Sequence, residues 1–342
     1  MKKCIFFILS ASEKTGLGHL VRCLSLAKML EEHFNIAFIV NSTDHAILTL
    51  IKLAGYEDVT STTQNGISSF DTIKHLIIKA DVVVLDFYTV TENLQLSIKT
   101  AGYKLVCIDD LHQTHFFADA VINVSNSISK KQYKRELYTK LYLGTSYVLL
   151  RPEFLKSALQ QARPIDDINS VFINMGGSDA PNNTLKFLKA ITRTRRFKNV
   201  HVVLGALNPH RGSISEFVSD VNNTSKIYLY TNIDEFELKK VISDCELAIC
   251  PASGISMELS AVGIAMITGY TADNQKDLLQ GLIEKDCAFN IGNFNDLSAD
   301  EITEAVEHFI IKKPVINKMI KNQKKMIDGQ SPARLREIFE AL

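Results

Sequence analysis

The chain has 342 residues, a length that predicts two domains, since globular domains usually hold about 100 to 200 residues. Lysine plus arginine equals aspartate plus glutamate at 38 each, so the net charge is near zero. This balance argues against a protein that follows nucleic acid backbones or lies on anionic membranes, and we predict neither kind of partner.

The apolar stretches are too short for a membrane span, because none approaches the roughly 18 residues that such a helix needs. The first stretch, Ile5–Leu9, leads into a glycine-rich turn rather than a cleavage site, so we predict a buried strand and not a signal peptide. The six cysteines form no CxxC pair, which favours free thiols in a reducing compartment. We therefore predict a cytoplasmic protein.

Short, continuous apolar runs alternate with helical patterns in the first half of the chain. Residues 20–30, for example, place apolar side chains at the spacing of a helix. Strands buried on both faces and separated by helices are typical of a parallel sheet covered by helices. The predicted strands are Ile5–Leu9, Ile36–Val40, Val82–Leu85 and Leu105–Ile108.

The same alternation begins again after residue 168. The predicted strands are Val171–Asn174, Val200–Leu204, Ile227–Tyr230, Leu247–Cys250 and Ala265–Ile267, with helices over Asn183–Thr192 and Met257–Val262. We predict an α/β protein with two Rossmann-like domains that face a cleft. The predicted parts are an N-terminal domain over 1–150, a linker over 151–168, a C-terminal domain over 169–312 and a helical tail over 313–342. The tail is either a plain terminal helix or one that packs back on the first domain.

Open α/β sheets bind ligands outside the carboxyl ends of their strands, so residues directly after strands are the candidates for a site. The first such turn holds Gly16, Gly18 and His19. Glycines let the backbone come close to a ligand, although the full GxGxxG fingerprint is absent. A helix N-terminus favours neutral imidazole, which can accept a proton. His19 is therefore a candidate general base, or else a capping or surface histidine.

Carboxylates follow two further strands of the first half. Asp86 ends one apolar run, and Asp109 and Asp110 follow the next. A carboxylate there can orient an imidazole or accept protons from sugar hydroxyls, and it can equally cap the following turn. If Asp86 lies near the pair Asp109–Asp110, each carboxylate perturbs the pKa of the others.

Two turns in the second half suit phosphate groups. Gly176, Gly177 and Ser178 lie between a predicted strand and a predicted helix, where backbone N–H groups and a hydroxyl can hold a diphosphate. Ser253 and Gly254 occupy the same position after a later strand. A plain turn is the alternative, and no Walker-type Gly-Lys-Ser/Thr follows the first turn.

Glu258 is predicted in the first turn of the helix after Gly254, where it can accept both hydroxyls of a ribose or simply face solvent. The loop over 270–275 follows the next strand and is expected to face the same cleft. No HExxH pattern, DxD at a strand end or paired His/Cys spacing occurs, so we predict neither a metal nor another cofactor. The basic run Lys130–Arg135 is predicted to be a solvated helix face.

These motifs together resemble a known family. In chain order they are Thr15–Leu24, Asp86–Tyr88, Asp109–Asp110, Asn123–Val124, Leu150–Phe154, Met175–Asp179, Ser253–Glu258 and Asn274–Gln275. The ensemble covers roughly residues 1–290. It resembles the UDP-sugar hydrolases of pseudaminic acid biosynthesis, the PseG type, which are related to the MurG-like glycosyltransferases of GT-B fold. The segment beyond residue 290 is longer than in compact members of that family.

The resemblance implies a GT-B-like fold and hydrolysis of UDP-2,4-diacetamido-2,4,6-trideoxy-β-L-altropyranose to UDP and the free sugar. It implies that His19 is the base and that Asp86 and Tyr88 act near the reacting sugar. Direct attack by water opposite the leaving group would invert the anomeric centre. The predicted substrate-binding residues are Gly16, Gly18, Arg22, Asp110, Gly176, Gly177, Ser178, Asn182, Ser253, Gly254, Glu258, Asn274 and Gln275.

Two other functions fit the same residues. A glycosyltransferase would use His19 and the same nucleotide site but pass the sugar to an acceptor hydroxyl. Such relatives often carry an apolar, basic acceptor patch near the first domain, and the sequence shows no clear one. A non-catalytic protein would bind a UDP-sugar without releasing UDP. The partner is a small-molecule UDP-sugar in all three cases, and the oligomeric state is left open.

Overall fold

A computed structural model describes residues 2–11, 17–42, 44–62, 67, 69–220 and 225–342. The chain divides into two compact units. The first comprises Met1–Pro152 together with Gln330–Leu342, and the second comprises Glu153–Gly329. The division at Pro152 lies inside the predicted linker, and the first part of that linker is a helix, Pro152–Ala158.

The first unit begins with strands and helices in alternation. Its elements are β1 (Cys4–Ser10), α1 (Gly18–Leu30), β2 (Asn35–Asn41), α2 (His45–Leu53), β3 (Val59–Thr62), α3 (Phe70–Ile73), β4 (Val82–Asp86), α4 (Glu92–Thr100), β5 (Lys104–Ile108), β6 (His115–Phe116), β7 (Ala120–Asn123), β8 (Lys134–Arg135) and β9 (Lys140–Leu143). Among the described residues, seven strands form a parallel sheet in the order β3-β2-β1-β4-β5-β7-β9, and β6 pairs with β8.

The first sheet is buried on both faces because its strands carry apolar residues at successive positions. In β1, Ile5, Phe7 and Leu9 pack into one core cluster, whereas Phe6 and Ile8 pack into another. Successive side chains of a strand point to opposite faces, so the two clusters lie on the two sides of the sheet. Residues of α1 belong to the first cluster and residues of α4 to the second.

The second unit repeats the architecture. Its elements are α5 (Pro152–Ala158), β10 (Ser170–Ile173), α6 (Asn183–Thr194), β11 (Asn199–Leu204), α7 (Arg211–Asp220), β12 (Lys226–Thr231), α8 (Glu235–Ser243), β13 (Leu247–Pro251), α9 (Gly254–Val262), β14 (Ala265–Tyr270), α10 (Lys276–Glu284), β15 (Phe289–Asn293), α11 (Ala299–Ile310) and α12 (Lys313–Met326). Six described strands form a parallel sheet in the order β12-β11-β10-β13-β14-β15, the strand order of a Rossmann fold. The prediction of two Rossmann-like parallel sheets is confirmed.

The predicted helical tail is two helices rather than one. The first of them, α12, ends at Met326. The chain then turns at Gly329, whose φ of +71° is left-handed, and α13 (Ser331–Glu340) follows. Leu335, Ile338 and Phe339 of α13 are buried in the same core cluster as α1. The last helix therefore belongs to the core of the first unit.

The prediction of a solvated helix face over Lys130–Arg135 is wrong. Lys130–Gln132 form a single 3-10 turn, and Lys134–Arg135 are β8. Tyr133 between them is buried, with its ring 5.5 Å from that of Phe116. Burial of this one aromatic ring ties the basic segment to the core of the first unit and leaves it no free helical face.

Candidate active site

In the first sheet the strand order reverses between β1 and β4, and open α/β sheets bind ligands at such switch points. Asp86 is the last residue of β4, and α1 begins at Gly18. His19 Nδ1 lies 2.6 Å from Asp86 Oδ1, although the two residues are 67 positions apart in the chain. His19 is 3% exposed and Asp86 is 0% exposed. Gly16, also predicted at this site, lies outside the described residues.

The contact with Asp86 sets the tautomer of His19. An unprotonated Nδ1 would direct its lone pair at a carboxylate oxygen only 2.6 Å away, so Nδ1 carries the proton and donates it. Arg22 Nη2, which is 3.0 Å from Nδ1, donates to the same Asp86 oxygen instead. In the neutral imidazole Nε2 is then the acceptor. This atom is buried and has no hydrogen-bond partner within the described part of the chain.

Asp86 is an extensively hydrogen-bonded carboxylate. Besides His19, it accepts Nε and Nη2 of Arg22 at 2.7 and 2.5 Å and the thiol of Cys23 at 3.2 Å. Burial alone would raise the pKa of Asp86, but the Arg22 guanidinium and His19 outweigh burial and hold that pKa well below its usual range. Asp86 therefore stays ionised and can stabilise a positively charged imidazole.

Arg22 links Asp86 to a second carboxylate. Its Nη1 donates to both oxygens of Asp110, at 2.7 and 2.8 Å. Burial would lower the pKa of Arg22, but Asp110 and Asp86 raise it above its usual value, so the guanidinium keeps its charge. The hydrogen bonds of Arg22 and Asp110 given above are all to other protein groups. The roles of these two residues in substrate binding stay predictions.

Asp109 holds the neighbouring turn instead of joining this network. It accepts the N–H groups of Leu111 and His112 and the hydroxyl of Tyr133. Burial raises the pKa of Asp109 even though these hydrogen bonds favour its ionised form. The two adjacent carboxylates therefore have different partners. Asp109 binds groups of the turn itself, whereas Asp110 binds Arg22.

Tyr88 contacts His19 from the loop after β4. The two ring centroids are 4.5 Å apart with an angle of 72° between the rings, and Tyr88 is 42% exposed. Gly18 begins α1, and no described atom lies within 4 Å of the position that a Cβ would take there. An exposed aromatic ring beside an imidazole suits contact with a bound sugar, which stays a prediction for Tyr88.

In the second sheet the order reverses between β10 and β13, and the two predicted phosphate turns follow these strands. After β10, Gly176 has a φ of +84° and donates its N–H to Asn174 Oδ1. The Gly177 carbonyl accepts the N–H of Leu207. A Cβ on Gly205 would lie 2.2 Å from that same carbonyl oxygen, so this turn packs directly against the turn after β11. Gly205 therefore permits this close packing, and the phosphate-binding role of Gly176, Gly177 and Ser178 stays a prediction.

The N-terminus of α6 is occupied by a carboxylate of the protein itself. Asp179 accepts the N–H groups of Asn183 and Thr184 at 2.8 Å each, and Asn182 accepts that of Leu185. Burial raises the pKa of Asp179, even though these N–H groups favour its ionised form. A phosphate reaches the first amides of α6 only by displacing Asp179. The side-chain oxygen of Asn182 caps the helix, and a further role of Asn182 in substrate binding stays a prediction.

The N-terminus of α9 is different. Ser253 donates its N–H to Ser256 Oγ, which in turn donates to the Ser253 carbonyl. The next amides, of Gly254 and Ile255, are among the first N–H groups of a helix and have no partner within it. A Cβ on Gly254 would meet no described atom within 4 Å, so the backbone is accessible there. This N-terminus can receive an anion without displacing a described side chain.

Glu258 lies in the second turn of α9, not in the predicted first turn, because α9 begins at Gly254. It is 5% exposed, so it does not face solvent. After β14, Gln275 Oε1 accepts the N–H and the hydroxyl of Thr271 and so holds the loop that also carries Asn274. The roles of Glu258, Asn274 and Gln275 in substrate binding stay predictions.

Comparison with known proteins begins from sequence. No family model matches the chain. It is 27% identical over 289 residues to the uncharacterized protein MJ1062 of Methanocaldococcus jannaschii, a match covering 82% of this chain and 58% of that protein. The chain thus spans little more than half the length of this relative. It is 24% identical over 342 residues to the spore coat polysaccharide biosynthesis protein SpsG of Bacillus subtilis, covering 96% of this chain and 95% of SpsG.

A third relative is the UDP-N-acetylglucosamine--N-acetylmuramyl-(pentapeptide) pyrophosphoryl-undecaprenol N-acetylglucosamine transferase of Caldanaerobacter subterraneus. It is 27% identical over 181 residues, which cover 50% of this chain and 48% of the transferase. Its match therefore covers about half of each protein.

Solved structures decide the fold. MurG of Acinetobacter baumannii matches with a TM-score of 0.70 and 13% identity, over 99% of this chain and 100% of that chain. The S. aureus MnaA-UDP co-structure matches with a TM-score of 0.66 and 12% identity, over 99% of this chain and 96% of that one. The chain has a GT-B-like fold.

All site residues predicted in the second unit follow strand β10, β13 or β14, at the carboxyl end of one sheet. They are Gly176, Gly177, Ser178, Asn182, Ser253, Gly254, Glu258, Asn274 and Gln275. Within the described ranges, no group of three or more His, Cys, Asp or Glu side chains could hold a metal ion. No described helix of the GT-B-like chain is long and apolar enough to span a membrane.

Cys23 is a member of the His19 network that sequence reasoning missed. His19, Arg22 and Cys23 are spaced i, i+3 and i+4 on α1, so they share one face of the helix. This spacing is the signal that could have placed Cys23 beside Asp86. In the GT-B-like chain the cysteine supplies a weak donor to a carboxylate that already binds Arg22 and His19.

Proposed function

We propose that the chain is a metal-independent, inverting hydrolase that cleaves the anomeric C–O bond of a UDP-linked diacetamido-trideoxy sugar. The products are UDP and the free sugar, as in pseudaminic acid biosynthesis. The observation that carries the proposal is the orientation of His19, whose Nδ1 lies 2.6 Å from Asp86 Oδ1 while the buried Nε2 has no hydrogen-bond partner among the described residues. This is the arrangement that general base catalysis by histidine requires.

The base acts on water. Nε2 takes one proton from a water molecule as its oxygen attacks the anomeric carbon, and the bond from that carbon to the UDP oxygen breaks with its electron pair going to UDP. The imidazole becomes a cation held against ionised Asp86, which donates no proton of its own. Tyr88 packs edge-on to the imidazole and is exposed enough to contact the sugar.

Neutralising the leaving diphosphate is assigned to the start of α9. Its first amides lack partners within the helix, and Gly254 leaves the backbone accessible. Fixed backbone donors and a helix dipole stabilise developing negative charge without reorganising. Glu258 is then the acceptor for the ribose hydroxyls, one turn along the same helix.

The relatives support a nucleotide-sugar substrate. One is named for spore coat polysaccharide biosynthesis, one is an N-acetylglucosamine transferase named for UDP-N-acetylglucosamine, and one structure of the same fold holds UDP. The similarity to a transferase favours a second candidate function. In it, His19 would deprotonate an acceptor hydroxyl in place of water, with the same nucleotide site.

The test is incubation of the purified chain with a panel of UDP-sugars in ¹⁸O-water, with and without EDTA and with no acceptor. We expect UDP release from the diacetamido-trideoxy substrate, unaffected by EDTA, with the label at C1 of the sugar. Label in the UDP phosphate would mean attack at phosphorus and would overturn the proposal. UDP release only after an acceptor is added would establish the transferase instead.

A further inference from the structure

His19 is surrounded by charged and titratable groups from three parts of the first unit. Arg22 and Cys23 approach from α1, Asp86 from β4 and Tyr88 from the loop that follows β4. A further carboxylate, Asp110 after β5, reaches the cluster through Arg22. Burial, together with Asp86, raises the pKa of the Cys23 thiol, so Cys23 adds no charge.

The charges of this cluster can be summed from its described members. Arg22 contributes one positive charge, while Asp86 and Asp110 contribute one negative charge each. The cluster therefore carries a net charge of minus one when the imidazole is neutral and is balanced once the imidazole has taken a proton. A catalytic base needs this kind of surrounding, because the imidazolium forms during the reaction.

Arg22 by itself would work against the base. Its Nη2 lies 3.0 Å from His19 Nδ1, and it forms a two-point ion pair with Asp86. A guanidinium in that place offsets the charge of Asp86 and repels an imidazolium. The arginine is nevertheless useful, because its fork fixes the plane of the Asp86 carboxylate that orients His19.

We propose that Asp110 is a positioning residue that offsets the charge of Arg22 beside the base His19. Both oxygens of Asp110 accept from Arg22 Nη1, on the side of the guanidinium that does not face Asp86. Asp110 thus draws on the one nitrogen that Asp86 leaves unused. The inference rests on the proposed function for its catalytic meaning, although the charge balance itself is a property of the free protein.

The experiment is an NMR titration of the imidazole signals of the full-length protein without ligand. The His19 signal among the nine histidines is assigned by its loss in His19→Asn. In Asp110→Asn we expect the pH midpoint of His19 protonation to fall by about one unit, a tenfold loss of proton affinity. Asp110→Glu keeps the charge and is expected to keep the wild-type midpoint.

Two further variants separate electrostatics from damage to the fold. Arg22→Met removes the opposing charge and is expected to raise the midpoint, and Arg22→Met/Asp110→Asn is expected to return it towards wild type. The matched control is Asp119→Asn, which removes another partly buried carboxylate of the same unit. Asp119 pairs with Lys99 and accepts the N–H of Leu105, near the opposite end of β5 from Asp110.

The outcomes distinguish this inference from the proposed function. An unchanged or raised midpoint in folded Asp110→Asn, or no return in the double variant, overturns the role of Asp110 even if the protein cleaves UDP-sugars. The expected shifts in a protein that cleaves no UDP-sugar would uphold the charge balance and overturn only the proposed function. In an active protein the acidic limb of the pH–rate profile is expected to move with the midpoint.

Discussion

The switch point of the first sheet is filled with charged side chains, whereas that of the second is lined by backbone amides and small residues. In the first, Arg22 lies between Asp86 and Asp110, and each group is held by another of opposite charge. In the second, α6 and α9 begin side by side in the strand order, one closed by Asp179 and the other accessible at Gly254. The difference teaches that one fold can present a charged side-chain network at one switch point and accessible backbone amides at another.

The largest expected effect is that of removing the base. His19→Asn is expected to lower kcat by about 10²- to 10⁴-fold, the usual share of a general base, and to leave UDP affinity within a few-fold. Steady-state kinetics and calorimetry measure the two quantities. His115→Asn is the control, since His115 pairs with Glu136 outside the network. A His19 variant with wild-type kcat would remove the first switch point from the chemistry.

The second prediction concerns the stability that the buried charges provide. Asp86→Asn is expected to lower the free energy of unfolding by about 3 kcal/mol at pH 7, because Arg22 and His19 lose the carboxylate that holds them. The folded-state pKa of Asp86 is depressed, so its contribution is present above the unfolded pKa and is lost as the pH falls below about 4.

Urea unfolding at pH 7 and near pH 3 tests this sign. The difference between wild type and Asp86→Asn is expected to shrink at the lower pH, whereas a constant difference would contradict the ionised state of Asp86. Asp300→Asn is the control, because Asp300 is 94% exposed and its ion pair with Arg193 lies at the surface.

The third prediction concerns the second switch point. Glu258→Ala is expected to weaken UDP binding by about 1 to 3 kcal/mol, the scale for losing charge-assisted hydrogen bonds. Calorimetry with UDP measures the change, and Glu304→Ala, an exposed glutamate of α11, is the matched control. Unchanged affinity in the Glu258 variant would show that this buried carboxylate serves only the fold.

The smallest effects separate the two helix starts. Gly254→Ala is expected to leave the melting temperature unchanged, because the new Cβ meets no described atom, and to weaken UDP binding a few-fold. Asp179→Ala is expected to do the reverse, costing about 1 kcal/mol of stability as a lost helix cap while UDP affinity stays the same. Tighter UDP binding in the Asp179 variant would instead place the diphosphate at α6.

Much of the fold could be predicted because buried parallel strands appear in sequence as continuous apolar runs. Val82–Leu85, for example, was predicted as a strand and β4 is Val82–Asp86. The strand Ala120–Asn123 was not predicted, since an apolar run this short cannot be told from a loop by its pattern alone. Tyr133 was assigned to a solvated face because its lysine neighbours dominate the local pattern, while its burial depends on contacts distant in sequence.

The candidate site was predicted in position, and a strand-end carboxylate that orients the imidazole was one of the alternatives left open. His19 and Asp86 were both expected after strands, and their contact follows from β1 and β4 being neighbours, an order that alternation of strands and helices does not reveal. The bonds of Arg22 to Asp86 and Asp110 were not predicted, because these carboxylates are 64 and 88 positions away in the chain. The closed start of α6 was equally hidden, since Asp179 takes a left-handed backbone to reach the helix amides.

The position of α13 has a consequence for how the protein is made. Its buried residues complete the core of the first unit, yet the whole second unit lies between them and the rest of that core in the chain. Domains generally fold as units as they emerge during synthesis, N-terminal ones first. Here the order is inverted, because the second unit is fully synthesised before the first unit has received residues 330–342. The core of the first unit is therefore completed only after the second unit has been synthesised.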